Sequence, residues 1–136
     1  MAGAPVEAIA DVPLFAGLNK RELRQVAALF KERRFAAGDV IVKEGTGGSA
    51  FYLIDSGTAT VSIRTTVQGE LTAGNYFGEI ALIDEGTRLA SITAKTDLVC
   101  WGITLWEFQP LVQANGTIGW KLLESMARLL REARAG

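Results

Sequence analysis

The stretch that organises this chain reads FGEIALIDEGTRLASI and covers residues 77–92. The backbone from Gly78 to Leu82 can form one helical turn whose free N–H groups attract an anion. Arg88 adds a forked pair of donors, and Glu79 can accept a hydrogen bond from a neutral hydroxyl. These groups predict a loop that binds a ribose phosphate. As residue types alone, they fit equally well an ordinary hairpin closed by a Glu79–Arg88 salt bridge.

Composition narrows the classes of protein to which the chain can belong. Its 136 residues and 49% apolar content predict one domain with a real core. A net charge of −1 gives no basic field for nucleic acid or an anionic membrane. The chain has no histidine, so it lacks the commonest metal ligand and general base. The single cysteine, Cys100, excludes an internal disulfide and fits a cytoplasmic protein. No apolar run is long enough to cross a bilayer, and no secretory signal is recognisable.

Short β-rich runs separated by glycine-bearing turns fill the middle of the chain. They cover residues 33–36, 40–43, 50–54, 59–64, 69–72, 91–95 and 98–103. Short, regularly spaced strands favour an antiparallel sandwich or jelly roll. The predicted fold class is therefore α+β, with an antiparallel β-barrel of the double-stranded β-helix (jelly-roll) type between an N-terminal helical segment and C-terminal helices.

Helical periodicity flanks the strands. Asn19, with Glu22 three residues later, predicts a capped helix over 19–31. A second helix is expected over 105–114, kinked or divided by Pro110. Thr117 is expected to cap a last helix that reaches Ala133. These limits predict one domain in three parts: an N-terminal helical segment (1–32), a β-roll (33–103) whose loop spans 77–91, and C-terminal hinge or lid helices (104–136).

The run Phe-Gly-Glu-Ile-Ala-Leu-Ile, followed by a spacer and Thr-Arg-Leu-Ala-Ser-Ile, resembles the phosphate-binding cassette of cyclic nucleotide-binding domains. Such domains occur in protein kinase A regulatory subunits, cyclic-nucleotide-gated channels and the bacterial catabolite activator. Residues 35–41, 44–57 and 14–18 also resemble the turn, the hairpin and the N-terminal helical segment of that family. The resemblance therefore covers most of the chain.

The resemblance implies a role for each cassette residue. Arg88 would pair with the cyclic phosphate, and Glu79 would accept the ribose 2′-hydroxyl. Ser91 would bring a hydroxyl towards the ligand, and Leu82 would hold the cassette on the barrel or contact a C-terminal lid. Backbone N–H groups would line the pocket near Gly78, Ile80, Ala81, Leu89 and Ala90.

Two positions depart from the family pattern. Leu89 follows the arginine where many members have Ala, Ser or Thr, and it lacks the hydroxyl that could touch a guanine. This favours cAMP over cGMP as the ligand. Thr87 replaces the proline that commonly precedes the arginine, so the free loop is expected to be less pre-organised.

Residues outside the cassette have weaker signals. Val61 and Ile63 are candidate pocket walls, although core packing explains them equally well. Trp120 is a candidate lid that would stack on the purine, with anchoring of the last helix as the favoured alternative. The apolar stripe of that helix fits packing on the barrel, a homodimer contact or an effector domain.

Four functions are candidates for this sequence. A cyclic nucleotide sensor that signals through its C-terminal helices fits best. An enzyme is disfavoured because neither a nucleophile–base pair nor a set of metal ligands is visible, and no cofactor is implied. A DNA-binding regulator would need a helix-turn-helix after the last helix, and no room for one is expected between that helix and Gly136. A degenerate barrel that serves as a protein scaffold without ligand is the main alternative, and intact Glu79 and Arg88 argue against it.

Overall fold

The computed structural model describes residues 3–78 and 86–135 of the chain. Its helices are α1 (Val6–Ala10), a 3₁₀ helix (Pro13–Phe15), α2 (Lys20–Ala27), α3 (Leu105–Ala114) and α4 (Gly116–Ala135). Its strands are β1 (Lys31–Phe35), β2 (Val40–Val42), β3 (Gly47–Gly48), β4 (Ala50–Ser56), β5 (Ala59–Ile63), β6 (Thr66–Leu71), β7 (Tyr76–Phe77), β8 (Gly86–Thr87), β9 (Ser91–Ala94) and β10 (Leu98–Thr104).

The strands form two four-stranded antiparallel sheets and a short ribbon. The first sheet has the order β1-β10-β4-β7, and the second has the order β2-β9-β5-β6. Strands β3 and β8 pair separately as a two-stranded ribbon. The predicted α+β fold with an antiparallel double sheet and helices at both ends is confirmed, and the barrel is an open sandwich of two sheets.

Two apolar clusters hold these layers together. One lies between the sheets, where Ile54 and Cys100 of the first sheet meet Ala59 and Ile92 of the second. The other lies on the outer face of the first sheet. Its members come from the strands and from the helices at both ends of the chain, and they include Phe15, Phe30, Phe51, Ile103, Phe108 and Ile118. Because β-strand side chains alternate between faces, Phe51 packs under the helices while Ile54 packs between the sheets.

Helices α2 and α3 begin with the same N-terminal capping motif. Asn19 accepts the N–H of Glu22, and the Glu22 carboxylate accepts the N–H of Asn19. Thr104 and Glu107 make the same reciprocal pair at α3. Such capping boxes satisfy backbone donors that the helix leaves free, which confirms the predicted start at residue 19.

Three helix limits differ from the sequence predictions. Helix α2 ends at Ala27 rather than residue 31, because Lys31 pairs with Gly102 in the first sheet. Helix α3 continues through Pro110, so of the two predicted outcomes, a kink or a division, the division is wrong and the kink stays a prediction. Helix α4 begins at Gly116 rather than being capped by Thr117. Asn115 supplies the side-chain oxygen that accepts an N–H of its first turn, from Ile118 at 3.3 Å.

Candidate functional site

The backbone of Arg88 is fixed by the loop that connects β2 to β3. The Gly45 N–H donates to the Arg88 carbonyl at 2.9 Å, and the Arg88 N–H donates to the Thr46 carbonyl at 2.8 Å. The β3–β8 ribbon continues this pairing, with Gly47 opposite Thr87 and Gly48 opposite Gly86. Arg88 therefore starts its side chain from a backbone held on the neighbouring loop.

The Arg88 guanidinium rests on backbone atoms. Its Nη2 donates to the Ala50 carbonyl at 2.8 Å. Its Nε is buried and has no hydrogen-bond partner among the described residues. Among the residues that the structure describes, Arg88 forms no ion pair with a carboxylate. The positive charge of Arg88 therefore stays uncompensated by the described part of the protein, which favours an anionic ligand.

Two glycines flank the guanidinium, and together with Arg88 and Ala50 they form what we call the arginine slot. A Cβ atom built at Gly48 would lie 2.6 Å from Arg88 Nη2, and one built at Gly78 would lie 2.7 Å from Nη1. Gly78 also has φ +86°, a conformation that favours glycine over other residues. The slot accepts the arginine only because both flanking residues lack side chains.

A cavity of about 310 Å³ opens beside the slot. Among the described lining residues, the charged ones are Lys43 and Arg88, and none carries a carboxylate. The remaining lining comes from β2, the following loop and the start of β4, and includes Val40, Ile41, Val42, Thr46, Gly47, Gly48, Ser49, Ala50 and Tyr52. A cavity with two cations, backbone groups and apolar β2 side chains suits a ligand that combines an anion with a less polar part.

Tyr52 forms an aromatic wall of this cavity. Its ring lies 5.2 Å from the Phe77 ring and 5.9 Å from the Phe35 ring, measured between centroids. Burial raises the pKa of the Tyr52 phenol, and the nearby guanidinium groups of Arg33 and Arg88 oppose that rise. Because this pKa is above its ordinary value of 10.0, Tyr52 is neutral at pH 7.

Ser91 and Glu44 tie the site to the second sheet. The Glu44 N–H donates to Ser91 Oγ at 2.9 Å. The Glu44 carboxylate accepts the N–H of Arg64, in the turn between β5 and β6, at 2.9 Å. Arg64 and Thr65 in that turn both have positive φ, at 51° and 66°. A hydroxyl that accepts one hydrogen bond keeps its own hydrogen, so Ser91 can still donate one.

Glu79, Ile80, Ala81 and Leu82 lie outside the described residues. Four other residues that the sequence predicts in the pocket are not among the residues described as lining this cavity. Leu89 directs its side chain to solvent and is 83% exposed, while Ala90 is half-buried. Val61 is half-buried and packs against the cluster between the sheets, and Ile63 is exposed at the end of β5.

Trp120 lies in a second cavity, which we call the helical groove. This groove of about 460 Å³ separates α3 from α4, and Arg88 is not among its lining residues. It is lined by Leu105, Phe108, Gln109, Val112, Gly116, Gly119, Trp120, Leu122, Leu123 and Met126. Trp120 is 65% exposed at this groove, so it does not anchor α4 by burial.

The sequence does not predict the cavity wall formed by residues 46–48. Residues 44–48 are predicted as a turn and as the start of a hairpin, yet Thr46, Gly47 and Gly48 line the cavity and Gly48 lies against the guanidinium. The run of three glycines within four residues, 45–48, is the signal that could have marked a backbone approached closely by another group. The sequence does not distinguish Lys43 from the other lysines and arginines of the chain.

The described part of the chain gives little support for a metal site, a catalytic thiol or a membrane-spanning helix. No group of three or more His, Cys, Asp or Glu side chains there is arranged to hold a metal ion. Burial raises the pKa of the Cys100 thiol to about 12, with the Asp55 charge adding to the effect, so this thiol is not an activated nucleophile. Among the described helices, none is long and apolar enough to span a membrane.

Comparisons with known proteins agree with the geometry of the site. The family model described as the cyclic nucleotide-binding domain matches residues 32–115. The cAMP-dependent protein kinase regulatory subunit of Aspergillus niger is 41% identical over 91 residues, covering 65% of this chain and 22% of that protein. The human potassium/sodium hyperpolarization-activated cyclic nucleotide-gated channel 1 is 31% identical over 105 residues, covering 77% of this chain and 12% of the channel.

A solved structure extends the similarity over nearly the whole fold. The N-terminal domain of a transcriptional regulator from Streptomyces coelicolor A3(2) superposes with a TM-score of 0.87 at 25% identity, covering 95% of this chain and 96% of that one. By their names, these relatives are regulatory or ligand-gated proteins. The chain spans 22% or less of the two sequence relatives described above. Because the family model covers more than half of its residues, the chain belongs to the cyclic nucleotide-binding domain family.

Proposed function

We propose that this domain binds a cyclic nucleotide, cAMP in preference to cGMP, and reports its occupancy through the C-terminal helices. The observation that carries the proposal is the state of Arg88. Its guanidinium lies at a cavity whose described lining residues carry no carboxylate, with one donor on the Ala50 carbonyl and a buried Nε that has no partner among the described residues. A cyclic phosphate supplies the negative charge and the acceptor oxygens that such an arginine lacks.

The remaining contacts follow from the same assignment. Glu79 would accept the ribose 2′-hydroxyl, and the backbone N–H groups of the cassette would surround the phosphate: those of Gly78, Ile80, Ala81, Leu89 and Ala90. Ser91 keeps a hydroxyl hydrogen that it would donate to the ligand. Val61 and Ile63 stay predicted pocket walls, although neither is among the described lining residues of the cavity.

The preference for cAMP rests on Leu89. Its side chain carries no hydrogen-bonding group and is largely exposed, so it offers nothing to the polar edge of guanine. Two relatives named as cAMP-dependent protein kinase regulatory subunits are 41% and 38% identical to this chain, which agrees with that preference.

The start of α3 gives the signal a short physical route. The Leu105 N–H donates to the Ser49 carbonyl at 2.8 Å, and Thr104 pairs with Ala50 in the first sheet. Ser49 and Ala50 therefore connect the arginine slot with the N-terminus of α3. A ligand that draws Arg88 away from the Ala50 carbonyl would alter the strand on which α3 is seated. A coupled partner, either a second copy or an effector domain, would read the movement of α3 and α4.

Calorimetry with cAMP and cGMP on the parent and on Arg88→Leu tests the proposal. We expect the parent to bind cAMP more tightly than cGMP. Arg88→Leu should weaken cAMP binding by roughly 30-fold or more, since removing one partner of a buried charge pair costs about 2–5 kcal/mol. Arg21→Leu, at an exposed position on α2, is the matched control and should bind like the parent.

Two results would contradict parts of this proposal. An Arg88→Leu variant that binds as tightly as the parent would show that Arg88 does not hold the phosphate. A parent protein that binds neither nucleotide at micromolar concentration would favour the scaffold without ligand. Urea unfolding of each variant separates lost binding from lost folding.

A further inference from the structure

We propose that Gly48 is a positioning residue for Arg88, and that its lack of a side chain is what lets the guanidinium lie in the arginine slot. The inference rests on the proposed function, because it concerns the affinity of the same site for a cyclic nucleotide. It adds a residue from β3, outside the cassette, to the set that determines binding.

The contacts of Gly48 point specifically to Arg88. A Cβ at Gly48 would lie 2.7 Å from Arg88 Cζ and 2.6 Å from Nη2, and closer still to Nε. All three nearest atoms belong to that one guanidinium. Real Cβ atoms do not approach other heavy atoms so closely, so a methyl group at this position must displace one of the two groups.

The backbone of Gly48 does not itself require glycine. Gly48 lies in a β-strand and is not among the described glycines that have positive φ. An alanine would therefore fit the local backbone conformation, and the three atoms nearest to its methyl group would all belong to the arginine. Gly78, on the other side of the slot, does not allow this separation, because it has φ +86° and a Cβ there would also meet the Ala50 carbonyl.

The cheapest response to a methyl group at Gly48 is movement of the arginine. The guanidinium is the far end of a flexible side chain, whereas Gly48 is held by the ribbon pair with Gly86. Displacement would break the Arg88–Ala50 hydrogen bond and carry the cation away from the cavity. The expected effect is thus a loss of ligand affinity in a protein that still folds.

A glycine in another strand provides a matched control. Gly69 lies in β6, lacks positive φ and is not among the described lining residues of the cavity, and a Cβ there would meet no described atom within 4 Å. Gly69→Ala and Gly48→Ala make the same chemical change in strand residues with an ordinary backbone. Any difference between the two variants reports the contact with Arg88 rather than the general cost of replacing glycine.

The experiment is titration of cAMP by calorimetry into the parent, Gly69→Ala, Gly48→Ala, Arg88→Leu and the double variant Gly48→Ala/Arg88→Leu. We expect Gly48→Ala to weaken binding about tenfold or more, as overpacking of a filled site predicts. Gly69→Ala should stay within about twofold of the parent. The leucine side chain ends at its Cδ atoms and has no atom at the positions of Nε, Cζ and Nη, so Gly48→Ala should cause little further loss in the Arg88→Leu background.

Equal affinities for Gly69→Ala and Gly48→Ala, with a weakened Arg88→Leu, would overturn the role of Gly48 and leave the proposed function intact. A parent that does not bind cAMP would overturn the proposed function itself. If Gly48→Ala alone fails to fold, recovery of folding in the Arg88→Leu background supports the clash, and failure in both backgrounds contradicts it. An equal loss of affinity in both backgrounds shows that Gly48 acts without Arg88.

Discussion

The arginine slot and the helical groove are both concave, but they differ in chemistry. The groove is the larger, at about 460 Å³ against about 310 Å³ for the cavity beside the slot. The groove is lined almost wholly by apolar side chains and has no charged lining residue. The smaller cavity has Arg88 and Lys43 in its wall, and Arg88 carries a buried donor without a partner.

On the proposed function, the ligand binds in the smaller cavity, so cavity volume alone would not identify its site. The groove is an apolar depression between α3 and α4. A buried cationic donor without a partner costs free energy, and it persists where a ligand completes it. The comparison therefore predicts that changes at the groove alter stability, whereas changes at the slot alter binding.

The strongest test of the groove is Phe108→Ala. Phe108 forms part of its floor, is 2% exposed, and meets the Phe15 ring edge-on at 6.1 Å between centroids. Its truncation should lower the free energy of unfolding by about 3–5 kcal/mol, because a buried aromatic ring leaves a cavity. Urea unfolding measures this loss.

The control for Phe108→Ala is Trp106→Ala on the same helix, where the side chain is mostly exposed and the loss should be under about 1 kcal/mol. Where Phe108→Ala remains folded, its affinity for cAMP should match that of the parent within about threefold. A large loss of affinity without loss of stability would mean that the groove, not the slot, governs binding.

A smaller effect is expected where α4 meets α2. Lys121 Nζ donates to Glu22 Oε1 at 2.7 Å, and Glu22 is only 7% exposed. Lys121→Met should lower the free energy of unfolding by about 1–3 kcal/mol, because it leaves a buried carboxylate with its capping contact alone. Arg131→Met, an exposed cation on the same helix, is the matched control.

The pH dependence of this pair has a defined sign. Hydrogen bonds from Lys121 and then from the Asn19 backbone hold the pKa of Glu22 below its ordinary value of 4.5, and burial only partly opposes them. The stabilisation is therefore fully present above pH 4.5 and is lost as the pH falls through the lowered pKa. The stability difference between the parent and Lys121→Met should shrink in that acidic range, and a constant difference would contradict the ion pair as its cause.

The smallest effect is expected for Trp120→Ala. The side chain lies at the mouth of the groove and is mostly exposed, so stability should change by less than about 0.5 kcal/mol. Its affinity for cAMP should change by less than about threefold, because Trp120 does not line the cavity beside the slot. A tenfold loss, measured beside Trp106→Ala, would instead show that α4 brings Trp120 onto the base when ligand is bound.

Local patterns were the part of the fold that sequence could predict. The capping pairs Asn19–Glu22 and Thr104–Glu107 depend on residues three apart, and the first of them was predicted from that spacing. The β-rich run 59–64 predicted a strand, and β5 (Ala59–Ile63) is that strand. The limits of helices were less predictable, since Lys31 leaves the helical pattern only because Gly102 offers it a partner strand.

The site, like the fold, has a part that sequence predicts and a part that it does not. The sequence by itself determined that a glycine, an acid and an arginine belong to one cassette, because those residues lie close along the chain and match a family pattern. Only the tertiary structure decided what surrounds Arg88. Gly48 and Ala50 reach it through sheet pairing that joins distant segments, and Trp120 is directed to the groove by the packing of α4 on α3. Contacts of that kind depend on how whole layers stack, and local residue order carries no record of them.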